Sequence, residues 1–230
     1  MKQPLNFAWR YMPCYKQSYL AAFPEEAETI DLPHSNIDLP RAYFDEDMYQ
    51  FISSYEKVFD IDQETKNKTV ILTFHGVMLK AKVYLNQAFL GEYISGYLPF
   101  SIDVSGIVKA KDNRLVVIVD SHEDNTIPPF GGVIDYLTFG GIYREVEIEV
   151  KPNIYLERVL VNADQSGKLL IHHHLAGNRS LSYEISHKLL FKDEVIKEFT
   201  SGEIIVDNPH LWSLETPHLY TLLSTLKTTS

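Results

Sequence analysis

The chain has 230 residues, of which 45% are hydrophobic and 23% charged, a composition ordinary for a soluble globular protein with one large or two modest domains. Its formal net charge of −10 argues against a nucleic-acid partner, because phosphate binding draws on clustered Lys and Arg and no such cluster appears. The single cysteine, Cys14, excludes an internal disulfide. No uninterrupted apolar segment follows the amino-terminal lysine, so neither a signal peptide nor a membrane span is predicted, and we expect a cytoplasmic protein.

Strand patterns dominate the first two thirds of the chain. Helical periodicity is weak, and only Glu46–Val58 is predicted as a short helix or turn. Val70–Phe74 and Leu115–Val119 are nearly continuous apolar runs, which suit strands buried on both faces. Leu79–Asn86 and Arg144–Val150 alternate apolar and polar residues, the pattern of half-buried antiparallel strands. Short segments rich in Gly, Pro and Asn separate these runs, so the pattern predicts a two-layer sandwich.

A second set of strand patterns begins after Lys151-Pro152, because proline removes a backbone donor at the end of a strong strand. We therefore expect one domain at 1–151 and another at 152–230. The spacing of the second set suits an immunoglobulin-like sandwich, which usually has seven strands, so Ser230 is expected to precede the last strand. The candidate strands are Ile154–Asn162, Lys168–Leu175, Ser182–Phe191, Glu194–Phe199 with Glu203–Val206, and Leu219–Leu226.

Ordered motifs in the middle of the chain carry a family resemblance. They are FHGV at Phe74–Val77, AKVYLN at Ala81–Asn86, GEYISGYLPFSIDVS at Gly91–Ser105, NRLVVIV at Asn113–Val119 and GGIYREV at Gly140–Val146. With them the chain resembles the amino-terminal sugar-binding domain of the family-2 glycoside hydrolases, which include β-galactosidases, β-glucuronidases and β-mannosidases. DLPHS at Asp31–Ser35 and NPHLWSLETPHLY at Asn208–Tyr220 extend the resemblance in both directions.

The resemblance implies an all-β fold, a jelly-roll-like galactose-binding-type sandwich followed by a partial immunoglobulin-like β-sandwich. In the family these domains precede a catalytic (β/α)8 barrel. No alternating strand–helix pattern of the roughly 250 residues that a barrel needs fits this sequence, so we expect the barrel to be absent. The resemblance implies that the chain is the non-catalytic amino-terminal portion of a retaining glycosidase, of the β-galactosidase or β-glucuronidase type. Such an enzyme acts on terminal β-linked sugars in carbohydrate metabolism. The rival hypothesis is a stand-alone carbohydrate-binding or structural sandwich with no enzyme attached.

Hydrolysis of a glycosidic bond usually takes two carboxylic acids across one sugar ring. In the family the acid/base is a glutamate that follows an asparagine, and no asparagine of this chain is followed by glutamate. We therefore expect no catalytic residue here and no activity from these residues alone. The expected partners are a carbohydrate substrate and the barrel domain, with a homo-oligomer in the full-length enzyme, no nucleic acid, no membrane, no metal and no cofactor.

Two residues are candidates for contact with the sugar. In galactosidases of the family, an asparagine that ends an "LNG" strand and an aspartate before the "GI-aromatic-R" strand reach the sugar pocket, and the matching residues are Asn86 and Asp135. A carboxamide and a short carboxylate can bond sugar hydroxyls at little cost in side-chain entropy. Alternatively, Asn86 caps a strand turn and Asp135 fixes its own loop. Gln87 departs from the family glycine, so the loop after Asn86 is expected to differ.

Other conspicuous residues are interpreted as structural. Arg144 is expected to form an ion pair inside the sandwich, and Trp212 to lie in the core with Pro209, Leu211 and Tyr220. Along a strand His172 and His174 face one side and His173 the other, and no further zinc ligands are marked by spacing. A solvated polar strand face is therefore favoured over a metal site for the three histidines.

Overall fold

The computed structural model describes residues 2–39, 45–61, 64–128, 130, 139–178 and 180–228, apart from the side chain of Glu46. It divides the chain into two compact units, Met1–Lys151 and Pro152–Ser230. Both units are built from β-sheets, and the only helical elements among the described residues are two 3-10 turns, Gln17–Leu20 and Glu46–Tyr49. The all-β prediction is confirmed. No described helix has the length and apolar character needed to cross a membrane.

The first unit contains strands β1 to β10 in two sheets. The larger sheet has the order β3-β2-β4-β9-β6-β7, with every neighbouring pair antiparallel, and the smaller has the order β1-β10-β5-β8. The strands are β1 Lys2–Pro4, β2 Trp9–Met12, β3 Glu28–Ile30, β4 Ile52–Phe59, β5 Lys68–Phe74, β6 Lys80–Leu85, β7 Ala88–Ile94, β8 Phe100–Asp103, β9 Asn113–Asp120 and β10 Val146–Pro152.

One continuous apolar core fills the first unit. The alternation along β6 and β10 places their apolar residues inward, where they meet the buried runs of β5 and β9. Trp9 is fully buried, and its indole N–H donates to the carbonyl of Leu5. The residues of these four strands that are buried in the cluster are Val70, Leu72, Phe74, Ala81, Val83, Leu85, Leu115, Val117, Val119, Val146 and Ile148. The predicted strands of this unit are thus confirmed.

The predicted helix or turn across Glu46–Val58 is wrong for most of its length. A single 3-10 turn covers Glu46–Tyr49, with the Asp45 carboxylate accepting from the Asp47 backbone N–H, and β4 begins at Ile52. In the middle of β4 the polar residues Ser54 and Glu56 are buried beside Tyr55, whereas the apolar residues Ile52 and Val58 near its ends are 37% and 52% exposed. The sequence of β4 therefore lacks the alternation of apolar and polar residues by which a half-buried strand is recognised.

Glu56 joins the outer face of the larger sheet to the segment that covers it. Its carboxylate, 4% exposed, bonds Arg10 Nη1 at 2.8 Å and Arg114 Nε at 2.5 Å. Arg114 also donates to the carbonyls of Leu20 and Tyr19, at 2.5 and 2.6 Å. A buried carboxylate held by two guanidinium groups thus fixes the 3-10 turn Gln17–Leu20 over the sheet.

The second unit is a sandwich of two three-stranded sheets, with the orders β11-β12-β15 and β14-β13-β16. Its strands are β11 Ile154–Ala163, β12 Lys168–Gly177, β13 Tyr183–Phe191, β14 Glu194–Phe199, β15 Glu203–Ile205 and β16 Tyr220–Thr228. The predicted strands agree with these to within a few residues, and the immunoglobulin-like class is confirmed. That a further strand follows Ser230 stays a prediction. The buried apolar cluster is small, consisting of Leu169, Leu189 and Ile204 with partly buried neighbours.

Candidate functional site

Gly140–Ile142, a few residues after Asp135 in the sequence, are held by backbone hydrogen bonds within the first unit. The backbone N–H groups of His34 and Asn36 donate to the carbonyls of Ile142 and Gly140, at 2.9 Å each. Asp135 itself lies outside the described residues, so its contact with a sugar stays a prediction. The structure describes Gly140–Ile142, which are held in place by these backbone bonds.

Close packing requires glycine at positions 140 and 141. Gly141 exchanges two backbone hydrogen bonds with Met78, of 2.9 and 3.1 Å, and its φ of +107° lies in a region that L side chains rarely adopt. A Cβ at Gly141 would lie 2.7 Å from the Tyr55 hydroxyl, and one at Gly140 would lie 2.2 Å from the Ser121 hydroxyl. The two glycines therefore let the chain approach the sheet more closely than any other residue could.

The aromatic rings of Tyr11, His34 and Tyr55 pack against one another beside Gly140–Ile142. His34 Nδ1 lies 3.1 Å from the Tyr55 hydroxyl, and the Tyr11 hydroxyl donates to the carbonyl of Asn36. Burial raises the pKa of Tyr11 and that of Tyr55 far above their ordinary values, and burial lowers the pKa of His34. All three groups are consequently neutral near pH 7, which suits a hydrogen-bonding scaffold rather than a proton donor or acceptor in a reaction.

Asn36 is a residue of this scaffold that sequence reasoning did not single out. Its side chain is almost fully buried, and Nδ2 donates to the carbonyl of Tyr49 at 2.8 Å. Its Oδ1 has no hydrogen-bond partner among the described residues. The signal in the sequence is slight, since an asparagine beside the DLPHS motif reads as an ordinary turn residue.

Asn86 is engaged in hydrogen bonds within the first unit. Its Oδ1 accepts from the backbone N–H of Arg114 at 3.0 Å, and Nδ2 lies 3.1 Å from both the Ile107 carbonyl and Asn113 Oδ1. Both donor hydrogens of the amide are thereby used. This arrangement favours the loop-fixing alternative, and contact of Asn86 with a sugar stays a prediction.

The turn after Asn86 keeps the left-handed geometry that a glycine would favour. Asn86 and Gln87 have φ values of 52° and 71° and form the two-residue connection between β6 and β7. Two consecutive residues with positive φ are typical of a type I′ hairpin turn. Gln87 itself adopts the left-handed conformation in this turn, and a difference from the family's loop stays a prediction.

The predicted ion pair of Arg144 is wrong. Arg144 is exposed, and its guanidinium makes no ion pair with a described carboxylate. It lies over the ring of Tyr143, 5.4 Å from the centroid, while the Tyr143 hydroxyl donates to the carbonyl of Gly96. Arg144, which precedes β10, thus points outward, whereas Val146 and Ile148 of β10 are buried.

The predicted core position of Trp212 is also wrong. Trp212 is 57% exposed and Leu211 49% exposed, because no described element covers them. Both residues line an open cavity of about 700 Å³ in the second unit, together with Leu169, Leu189 and Tyr220. Apolar character in the sequence does not show which apolar residues lack a covering element.

The three consecutive histidines divide between two environments. His172 and His174 are exposed, as the interpretation of a solvated strand face requires. His173 is not solvated in this way, since its ring points between the sheets and contacts His187 of β13. No group of three potential metal ligands occurs among the described residues.

Comparison with known proteins identifies the family. Residues 3–152 match the model described as glycosyl hydrolases family 2, sugar binding domain, and residues 146–230 match that described as glycosyl hydrolases family 2. The chain belongs to glycosyl hydrolase family 2. Its two matched regions meet close to the boundary between the two compact units.

Individual relatives agree with this assignment. The chain is 35% identical to the β-galactosidase of Thermoanaerobacterium thermosulfurigenes over 94% of its own length and 34% of that protein. It is 35% identical to the β-galactosidase of Thermoanaerobacter pseudethanolicus over 94% of its length and 32% of that protein. The solved structure of Bacteroides uniformis β-glucuronidase 2, at 25% identity, superposes with a TM-score of 0.83 over 99% of this chain and 30% of that one. The chain thus spans about a third of the length of these relatives.

Proposed function

We propose that this chain is the sugar-binding and immunoglobulin-like portion of a retaining β-galactosidase or β-glucuronidase that acts on terminal β-linked sugars. The observation that carries the proposal is the 35% identity to a β-galactosidase over 94% of the chain. In this role the chain shapes the substrate pocket, and the carboxylates that cleave the bond belong to the barrel of the full-length enzyme. We further propose that the enzyme is a cytoplasmic homo-oligomer.

The loop between β9 and β10 is the proposed point of contact with the sugar. The loop carries Asp135, and its end is fixed by the backbone bonds of Gly140–Ile142 and by close packing of the two glycines. A fixed loop end limits the conformational entropy lost when a side chain binds a ligand. Asn86 is proposed as a weaker contact, because its amide is already bonded inside the unit.

The first test uses the chain alone. It should hydrolyse no nitrophenyl β-galactoside, β-glucuronide or β-mannoside, since the required pair of carboxylates is absent. The dissociation constant for the free sugars should exceed about 1 mM. Part of a pocket makes few of the contacts that offset the translational and rotational freedom that a ligand loses on binding. Turnover by protein free of contaminating glycosidase would contradict the non-catalytic role.

The second test uses the full-length enzyme with Asp135→Ala. Loss of a hydrogen bond from a charged group costs about 1.5–3 kcal/mol, so kcat/KM should fall roughly ten- to a hundredfold with little change in melting temperature. Asp207→Ala, at an exposed position of the second unit, is the matched control and should leave kcat/KM unchanged. An equal change in kcat/KM for the two variants would favour the alternative that Asp135 only fixes its own loop and does not contact the sugar. Asn86→Ala should lower kcat/KM less than Asp135→Ala.

A further inference from the structure

Two histidines meet between the sheets of the second unit. His173 on β12 and His187 on β13 belong to different sheets, and their Nε2 atoms are 3.1 Å apart. Their ring planes are within 6° of parallel, with centroids 4.9 Å apart. Because the nitrogens are much closer than the centroids, the rings meet edge to edge. This is the geometry of an N–H···N hydrogen bond from one sheet to the other.

The second ring nitrogen of His187, Nδ1, also has a hydrogen-bond partner. It is 1% exposed, its Nδ1 lies 2.8 Å from the Ser224 hydroxyl of β16, and the ring of Phe199 packs 5.1 Å away. Both ring nitrogens of His187 are thus engaged. The Ser224 hydroxyl can donate or accept, so either tautomer of His187 keeps both contacts.

Proton counting limits the charge that this pair can hold. The N–H···N bond requires one proton between the two Nε2 atoms, so one ring donates and the other accepts. One additional proton can be accommodated on the Nδ1 atom of His173 while its Nε2–H donates to His187. A second additional proton would place an N–H on each of the facing nitrogens, with two positive charges about 3 Å apart, and the hydrogen bond would be lost.

The groups packed around the pair offer no negative charge to hold further protons. Val159 of β11 lies opposite His173, and Phe199 of β14 and Ser224 of β16 lie opposite His187. Basic residues on the neighbouring strands include His172, next in sequence on β12, and Lys197 of β14, whose Nζ donates to the carbonyl of Ile205 at 2.8 Å. No carboxylate among the described residues acts on either ring.

Burial and the neighbouring imidazoles all lower the pKa values of the two histidines. Burial lowers the pKa of both His173 and His187; the charge of His172 adds to the effect on His173, and the charge of His173 to that on His187. A histidine whose pKa is depressed in the folded state binds protons more readily when unfolded. The stability that the pair contributes is therefore present above the ordinary value of 6.5 and is lost as the pH falls below it.

We propose that the His173–His187 pair is an acid-operated switch in the second unit. With at most one additional proton, the hydrogen bond joins the two sheets. A second additional proton breaks the bond and opens the sandwich at this point. Among the described residues of the first unit no histidine pair joins the two sheets, and the neutral His34 bonds Tyr55 instead. The effect of acid on the pair is therefore expected at β12 and β13 of the second unit.

The test is hydrogen exchange of the 230-residue chain as a function of pH, with opening constants read at the amides of β12 and β13. With two protons taken up on opening, the opening constant should rise towards a hundredfold per pH unit below about pH 6. His173→Gln supplies an amide donor for His187 Nε2 without a second titrating ring, so the rise should fall to about tenfold per pH unit. His172→Gln and His174→Gln are the matched controls, because they remove exposed histidines of the same strand.

Equal pH responses of His173→Gln and the two control variants would overturn the proposal. If His173→Gln fails to fold, nitrogen NMR of the imidazoles in the unmodified chain decides the question. The proposal requires the pair to take up its second additional proton at a lower pH than histidines of the unfolded chain. Titration of both rings at the pH of the unfolded histidines would contradict it.

Discussion

The two units are both two-sheet sandwiches, but they fill the space between their sheets differently. In the first unit the main buried cluster runs from Leu5 to Ile148, beside a smaller one of Met78, Leu79 and Ile127. In the second the buried cluster is confined to three residues, a histidine pair bridges the sheets, and an open cavity lies beside Trp212. Similar strand patterns in the sequence thus lead to interiors of unequal packing, and most of the apolar stabilisation that burial provides belongs to the first unit.

The largest expected effect comes from Trp9→Ala. Trp9 is fully buried in the first core, and removal of such a ring typically lowers the free energy of unfolding by about 3–5 kcal/mol. Urea unfolding followed by circular dichroism should show a first-unit transition at much lower urea, with the transition of the second unit unmoved. A loss below about 1 kcal/mol would mean that the first core is less tightly packed than the structure indicates.

A smaller effect is expected from Glu56→Gln. The variant keeps the volume of the side chain but removes the charge that binds Arg10 and Arg114, which should lower the free energy of unfolding of the first unit by about 2–3 kcal/mol. Glu92→Gln is the control, because Glu92 is 43% exposed and lies 3.7 Å from Lys82. Such exposed pairs contribute about 0–1 kcal/mol. Equal losses would show that the buried carboxylate is not needed to hold the covering segment.

The smallest effect is expected from Trp212→Ala. Because Trp212 is 57% exposed, its removal should change the free energy of unfolding by less than about 1 kcal/mol. The two tryptophans also allow a direct comparison of the units by fluorescence. Acrylamide should quench Trp212 readily in Trp9→Phe and should quench Trp9 poorly in Trp212→Phe. Equal quenching would contradict the difference between the two environments.

Sequence predicts the fold well where local pattern and burial coincide. The alternation of Val146 and Ile148 with glutamates predicts β10, and the apolar run Leu115–Val119 predicts β9, since side-chain period follows directly from strand geometry. The pattern fails for β4, where Ser54 and Glu56 are buried polar residues whose partners are far along the chain.

The candidate site is less predictable because it depends on tertiary partners. Asn86 in a turn follows from its residue type, but its bonds to Ile107, Asn113 and Arg114 do not. His173 and His187 are separated by fourteen residues, and only the packing of two sheets brings their nitrogens together. Exposure of Trp212 depends on which surfaces lack a covering element, and a local pattern carries no such information.

The glycine pair before β10 also matters for how this domain can diversify. Gly140 and Gly141 are held by backbone atoms and by contacts too close for a side chain, so their positions tolerate almost no substitution. Any library built on this domain should therefore keep both glycines, because a side chain at either position would collide with Ser121 or Tyr55 and lower the yield of folded protein.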